Sequence, residues 1–333
     1  KSAEPLLEPG HEVAFNQMTL REWDAAAAYA EATASAKGEA LRICRDSRTV
    51  YGHDFSLTFA GQGWLEDYTL RGRKMIAEPV KPLFYRAMTE NDYGVRKRTA
   101  NAIYYHSWKA FRNAETYMDL FLMKEQENRV VVTAEYSYAE LGMTVKMRYE
   151  IDGDGYLSVC MIMLPGRAKF DIKGMLRFGV DFAMPESFST IEFYGAGASE
   201  SYSDRKSGTP IGIYKQSVAD QFCMTYSRPQ ESGAHCDLRY WSITDAEGCG
   251  FKVLSNVLFT ASALPYEMKQ YDIHSVDYCK YPQLLKKDGN TYVNIDMAQS
   301  GLVCRNSWGA IPLEQYQIKY QPQQFEFVLV PIK

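Results

Sequence analysis

The side chains able to do chemistry are plentiful in this chain, but few are patterned. Five histidines lie at positions 11, 53, 106, 235 and 274, and none falls in an HExxH or another metal-ligand spacing. Seven cysteines, at 44, 160, 223, 236, 249, 279 and 304, form no CxxC pair and no Cys/His zinc spacing. They read as buried thiols rather than a disulfide framework, with no metal site expected. Asp152-Gly153-Asp154-Gly155 opens like a calcium loop. Counted from Glu150, however, the twelfth residue is Met161 where a bidentate Glu is needed, so a Gly-rich hairpin turn is the better reading. Gly195-Ala196-Gly197 lacks the third glycine and the following helix of a dinucleotide site. Asp and Glu total 41, too many to single out a catalytic pair by eye. Asn306-Ser307-Trp308-Gly309 stands apart: a Trp in loop context either closes a core or offers a flat apolar face to a ligand.

These residues must be held by β-structure. Val145, Met147, Tyr149 and Ile151 alternate with Thr144, Lys146, Arg148 and Glu150, and Val130 to Tyr138 repeats the pattern. Tyr156 to Met163 returns after the Gly-rich turn as the second arm of a hairpin. Further strands are expected at 54–59, 117–123, 174–182, 190–194, 235–244, 250–255, 292–297 and 325–331, and a looser one at 11–20. Residues 100–113 read as a helix, and the Ala-rich run from Asp24 to Ala32 as a short helix or a linker. A dozen or more strands at short spacing predict an all-β fold, one large antiparallel two-sheet sandwich. A boundary near Lys37-Gly38 divides the chain into 1–38 and 39–333. An aromatic content of 14% suits pleated sheets, where flat rings pack.

Composition excludes several classes. The chain has 333 residues and a formal net charge of -4, with 46% hydrophobic residues. That balance excludes a dominantly disordered chain and gives no sign of a nucleic-acid partner; the one basic knot, Arg96-Lys97-Arg98, reads as a solvated face. No apolar run approaches a membrane span. Unpatterned cysteines favour a reducing cytoplasm and leave a periplasmic home open. Lys1 is not an initiator Met, so the chain reads as cut from something longer.

Five segments together carry a resemblance. Phe84-Tyr85-Arg86-Ala87-Met88-Thr89-Glu90-Asn91-Asp92-Tyr93-Gly94 resembles F-x-R-A-P-x-D-N-D-x-G, with Trp108-Lys109-Ala110 following at a fitting distance. Tyr194 to Arg205 resembles Y-G-x-G-P-x-E-N-Y-x-D-R, and Tyr226 to Gly233 resembles Y-x-x-P-Q-E-x-G. Asn294-Ile295-Asp296 and Ser307-Trp308-Gly309 complete the set in order. The chain from about residue 40 is thus similar to the C-terminal domain of the large β-galactosidases of glycoside hydrolase family 2.

The resemblance implies a β-supersandwich of the galactose mutarotase type. It also implies that Glu8 to Ala14 ends a preceding immunoglobulin-like domain, with 1–38 as its remnant and linker. Both catalytic carboxylates would lie on an upstream barrel that is not readable here, so no catalytic residue is expected in this chain. Mg and Na, typical of that catalytic domain, would bind there, and no cofactor is expected here. The implied substrate is a terminal β-galactoside, and the implied partners are the upstream domains and further copies in a homo-oligomer. Trp308 would stack on galactose, with Asn306, Ser307, Arg205 and Glu231 as additional substrate-binding candidates. The pattern departs at Met88, Glu90, Ala198 and Ser201, and Val303-Cys304-Arg305-Asn306 replaces the usual Gly-Gly-Asp stretch before the Trp. The alternatives are a stand-alone carbohydrate-binding or architectural sandwich, and a mutarotase-like epimerase needing a His, with His235 and His274 the candidates, beside a Glu.

Overall fold

A computed structural model describes residues 6–34, 38–96, 100–303, 306 and 309–333. After helix α1 (Ala25–Thr33), the chain lays down β1 (Arg42–Cys44), β2 (Thr49–Tyr51), β3 (Phe55–Phe59), β4 (Leu65–Leu70), β5 (Arg73–Lys74) and β6 (Glu78–Leu83). Helices α2 (Glu90–Val95) and α3 (Ala102–Arg112) follow, then the meander β7 (Tyr117–Gln126), β8 (Arg129–Tyr138), β9 (Met143–Asp152) and β10 (Leu157–Pro165). The remaining strands are β11 (Arg177–Pro185), β12 (Thr190–Ala196), β13 (Ile211–Ser217), β14 (His235–Leu238), β15 (Tyr240–Thr244), β16 (Gly250–Ser255), β17 (Phe259–Leu264), β18 (Asn290–Gln299) and β19 (Gln323–Ile332). They form two antiparallel sheets. One runs β1-β2-β3-β4-β6-β11-β18-β17-β14, with β5 on β4; the other runs β13-β12-β15-β16-β19-β10-β9-β8-β7. The all-β two-sheet sandwich is the fold.

The core lies between the sheets and follows the pleat. Val145, Met147, Tyr149 and Ile151 are fully buried, as are Val130, Val132, Ala134 and Tyr136 beside them. The β9–β10 turn is built by Asp152, whose Oδ1 accepts from the amides of Asp154 (3.0 Å) and Tyr156 (2.9 Å), a hairpin and not a calcium loop. Strands β11 and β17 do not alternate, because they are covered on both faces. Phe178, Val180 and Phe182 enter the main core. The outer face lies under loops whose own small core joins Ala87, Phe222, Leu264 and Tyr271. This loop-covered face holds the polar side chains of interest.

Three expectations need correction. The strand expected over 235–244 is two: Leu238 pairs with Phe259 in one sheet, and Tyr240 pairs with Tyr194 in the other. The chain changes sheets at Arg239, just after a register shift between His235 and Leu238 where Asp237 takes a φ of 53°, one an Asp tolerates. No strand forms at 11–20. That segment runs exposed, and alternation without a neighbouring strand earns no ladder. Its contact is a two-way clasp of the Gln17 amide on the Ile211 backbone, both bonds 2.7 Å. The cysteines are not uniformly buried thiols: Cys236 is buried, Cys44, Cys160, Cys223, Cys249 and Cys279 are only partly so, and Cys304 lies outside the described residues. The Ala-rich run is a helix, started by the Asp24 carboxylate accepting from the Ala27 amide at 2.9 Å. It lies on the sheet side, where Arg129 donates to the Thr33 carbonyl at 2.6 Å.

Candidate functional site

The segment Phe84 to Gly94 leaves β6 and enters α2 through a capping box. The Thr89 hydroxyl accepts from the Asp92 amide (3.2 Å), and Asp92 Oδ2 accepts from the Thr89 amide (2.8 Å). Asp92 also binds Arg86, both fully buried, at 2.6 Å. A buried guanidinium needs such a partner, and its two terminal nitrogens also reach the carbonyls of Ala87 and Gly301, at 3.2 and 3.3 Å. So anchored, α2 points Asn91 at the segment after β18: Asn91 Nδ2 donates to the carbonyls of Leu302 (3.1 Å) and Val303 (3.3 Å).

The second motif arrives from the opposite side. Asp204 Oδ1 accepts from the Leu302 amide at 2.9 Å, and Oδ2 from the Val303 amide at 3.0 Å. Gly301 makes that approach possible, because a Cβ there would stand 2.5 Å from Asp204 Oδ2. At the far end of the loop, Asn101 Nδ2 donates to the Gly309 carbonyl at 2.9 Å, with Gly309 at a φ of +84°. Loop 301–309 is therefore gripped at both ends by side chains of α2, the α3 N-cap and the segment after β12.

Two ionic clusters support this frame. Glu200 accepts from Arg205 (2.9 Å), from the Tyr226 hydroxyl and from the Gly233 amide (2.8 Å), tying the second and third motifs together. Arg205 also donates to the Tyr226 oxygen at 2.7 Å. Beneath them, Arg177 is buried between Glu231 (3.0 Å) and Asp296 (3.3 Å). Burial pushes the Glu231 carboxyl up and carries Asp296 up to about 7, with Arg177 opposing both shifts.

Of the expected site residues, Trp308 and Ser307 lie outside the described residues, as do Lys97 and Arg98 of the basic knot. Asn306 is exposed on the loop. Arg205 is half-exposed on the Glu200 cluster, whereas the Glu231 side chain is 2% exposed and spent on Arg177, so these two are not brought onto one surface. Sequence reasoning passed over Asn91 and Asp204 although both stood in the quoted motifs, and it passed over Asn101 altogether. An Asn and an Asp in loop-flanking motifs were the available signal. Of the two histidine candidates, the structure takes His235 out of reach of a ligand. His235 is buried, stacked on Phe193 at 4.1 Å and bonded to Gln221 at 2.8 Å, and burial pushes it down to about 4. His274 shares a hydrogen bond with the Tyr105 hydroxyl at 3.2 Å. Among the described residues no three His, Cys, Asp or Glu side chains are gathered to hold a metal ion.

The fold and this motif-built frame define a class, the large antiparallel two-sheet β-sandwich. The chain belongs to the β-galactosidase small chain family, whose model matches residues 51–329. It is 30% identical over 327 residues to a β-galactosidase of Halalkalibacterium halodurans, covering 96% of this chain and 30% of that protein. It is 28% identical over 313 residues to the β-galactosidase BgaC of Bifidobacterium adolescentis, covering 93% of this chain and 29% of that protein. The chain thus spans less than a third of the length of these relatives. A solved galactose 1-epimerase of Lactobacillus acidophilus overlays 85% of this chain and 93% of its own at a TM-score of 0.47 and 10% identity.

Proposed function

We propose that this chain is the sugar-site-completing C-terminal part of a longer family 2 β-galactosidase that hydrolyses terminal β-galactosides. The observation that carries the reading is the convergence of separate motifs on loop 301–309. Asn91, Asn101, Asp204 and Arg86 spend side-chain hydrogen bonds on the backbone of one loop. Such convergence is worth its cost where a loop must hold a defined shape. In this reading the loop presents Trp308, whose indole covers the C–H face of galactose, flanked by Ser307 and Asn306. Arg205 braces the loop's neighbourhood, and Glu231 acts through Arg177 as a positioning residue.

The nucleophile and the proton donor lie elsewhere in the polypeptide, as do Mg and Na. Residues 1–38 are the end of a preceding immunoglobulin-like domain with its linker, and the parent is a homo-oligomer. In the parent enzyme Trp308→Ala should raise KM with little change in kcat, since stacking acts on ground and transition states alike, a loss of about 1–3 kcal/mol. The 333-residue chain alone should leave an aryl β-galactoside intact. Turnover by the purified chain, or an unchanged KM in Trp308→Ala, would overturn the reading.

A further inference from the structure

The outer face of the ten-stranded sheet carries a hollow away from loop 301–309. Beneath and beside it runs a row of side chains at directly paired positions on adjacent strands, of which Lys81, Asp181 and Asn294 line it. Lys81 on β6 faces Asp181 on β11, Asp181 faces Asn294 on β18, and Asn294 faces Ser262 on β17. The pleat puts them there, because Val80, Val180, Phe182, Val293, Ile295 and Ala261 take the core side of the same strands. The hollow encloses about 320 Å³, within the range of small-ligand sites. Leu83, Pro79 and Met268 give it apolar wall.

Most charges at its rim are already spent. Arg112 binds Asp272, Lys269 binds Glu267 at 2.5 Å, and Glu78 accepts from Asn290 at 3.3 Å. Lys81 and Asp181 are different. They attract one another across the strand pair, and Arg177 adds to the attraction on Asp181, but among the described residues neither side chain makes a contact ion pair or a hydrogen bond to another residue. Asn294 uses its oxygen on the Ser262 hydroxyl at 3.3 Å, which leaves its amide donors. Asp181, Lys81 and Asn294 offer one acceptor and two sets of donors, with the Asp181 and Lys81 charges opposed and Glu78 keeping its charge at the rim. Hydroxyl groups are matched, since each both donates and accepts. We propose that this hollow binds a neutral polyhydroxylated ligand of monosaccharide size, with Asp181 accepting and Lys81 and Asn294 donating hydrogen bonds to its hydroxyls. Burial pushes the Asp181 carboxyl up to about 6, so the residue costs folding stability at neutral pH, a cost that a binding role would retain.

The test is a titration of the whole chain, labelled with ¹³C-methyl methionine, with D-galactose and with D-glucose, glycerol serving as the acyclic control. Met268 lines the hollow and reports on it. The expected result is a saturable shift of the Met268 methyl with at least one hexose and none with glycerol. Asp181→Asn and Lys81→Ala should each weaken it about tenfold, the loss of one charged hydrogen bond. Lys81 is exposed at the rim, so Lys81→Ala decides the matter if Asp181→Asn fails to fold. Trp308→Ala should leave the shift in place, which separates this site from the loop reading. No shift, a shift shared with glycerol, one that survives Lys81→Ala, or one lost in Trp308→Ala would overturn the proposal.

Discussion

Asn91 and Asp204 hold the same dipeptide by opposite polarities: Asn91 donates to the carbonyls of Leu302 and Val303, and Asp204 accepts from their amides. The two residues come from different motifs and meet only across the 301–309 loop. Together they satisfy backbone groups that a loop would otherwise leave to water, and they do so where Val303 takes a φ of 60°, a strained value for a β-branched residue.

Asp204→Ala removes both acceptors of that grip. The expected cost is about 2–4 kcal/mol of local stability, two hydrogen bonds to a charged group with partial replacement by water. Amide hydrogen exchange at Leu302 and Val303 should accelerate by orders of magnitude while strands β8 to β10 keep their protection. Equal acceleration across those strands would show a global role instead.

Gly301→Ala should mimic Asp204→Ala, because the added methyl would stand 2.5 Å from the Asp204 carboxylate. The double variant should cost little more than either single one, since both break the same contact. Additive losses in denaturant melts would contradict a shared mechanism.

Arg177→Met leaves Glu231 and Asp296 buried without the cation that lies between them, Arg86 reaching Glu231 only at longer range. A loss of about 3–5 kcal/mol is expected, the range for breaking a buried pair from one side. Glu231→Gln should cost far less, because Arg177 keeps Asp296 and the amide still accepts its hydrogen bond. Urea midpoints for the two variants should differ accordingly, and equal midpoints would refute this assignment.

Asp181 makes a pH-dependent prediction. Its carboxyl is raised from the ordinary Asp value of 3.8 to about 6 in the folded chain. The folded state therefore holds the proton more tightly than the unfolded one, and this group's contribution to stability falls as pH rises from about 4 through 6. Asp181→Asn removes that penalty and should stabilise the chain at pH 8 by about 2–3 kcal/mol, with little effect at pH 4. Thermal melts at the two pH values check the sign; a destabilised variant at pH 8 would contradict it.

His235 acts in the other window. Its ring is held well below the ordinary 6.5, at about 4, because burial against Phe193 disfavours the charge. Unfolding takes up a proton between those values, so this residue's contribution is present above pH 6.5 and lost as pH falls toward 4, about 3 kcal/mol in all. His235→Gln should flatten that acid limb of the stability profile relative to the parent chain.

What the chain could state by itself was local and periodic. The inward set of β8 and β9, the Gly-rich turn at Asp152 and the helix at 102–112 all follow from patterns within a dozen residues, and the hydrophobic periods that set them are written along the chain. The number of strands and the motif order likewise pointed to a two-sheet sandwich. Other features required the assembled molecule. That 235–244 breaks between sheets depends on which strands lie alongside it, and that 11–20 forms no strand depends on the lack of a partner among the described residues. That β11 and β17 are covered on both faces depends on distant loops folding over them. The grip of Asn91 and Asp204 on residues 302–303 joins segments with no sequence proximity, and the row Lys81–Asp181–Asn294–Ser262 exists only through strand register. Pairing partners and loop cover are set by packing the whole chain at once, and no local pattern of residue types encodes them.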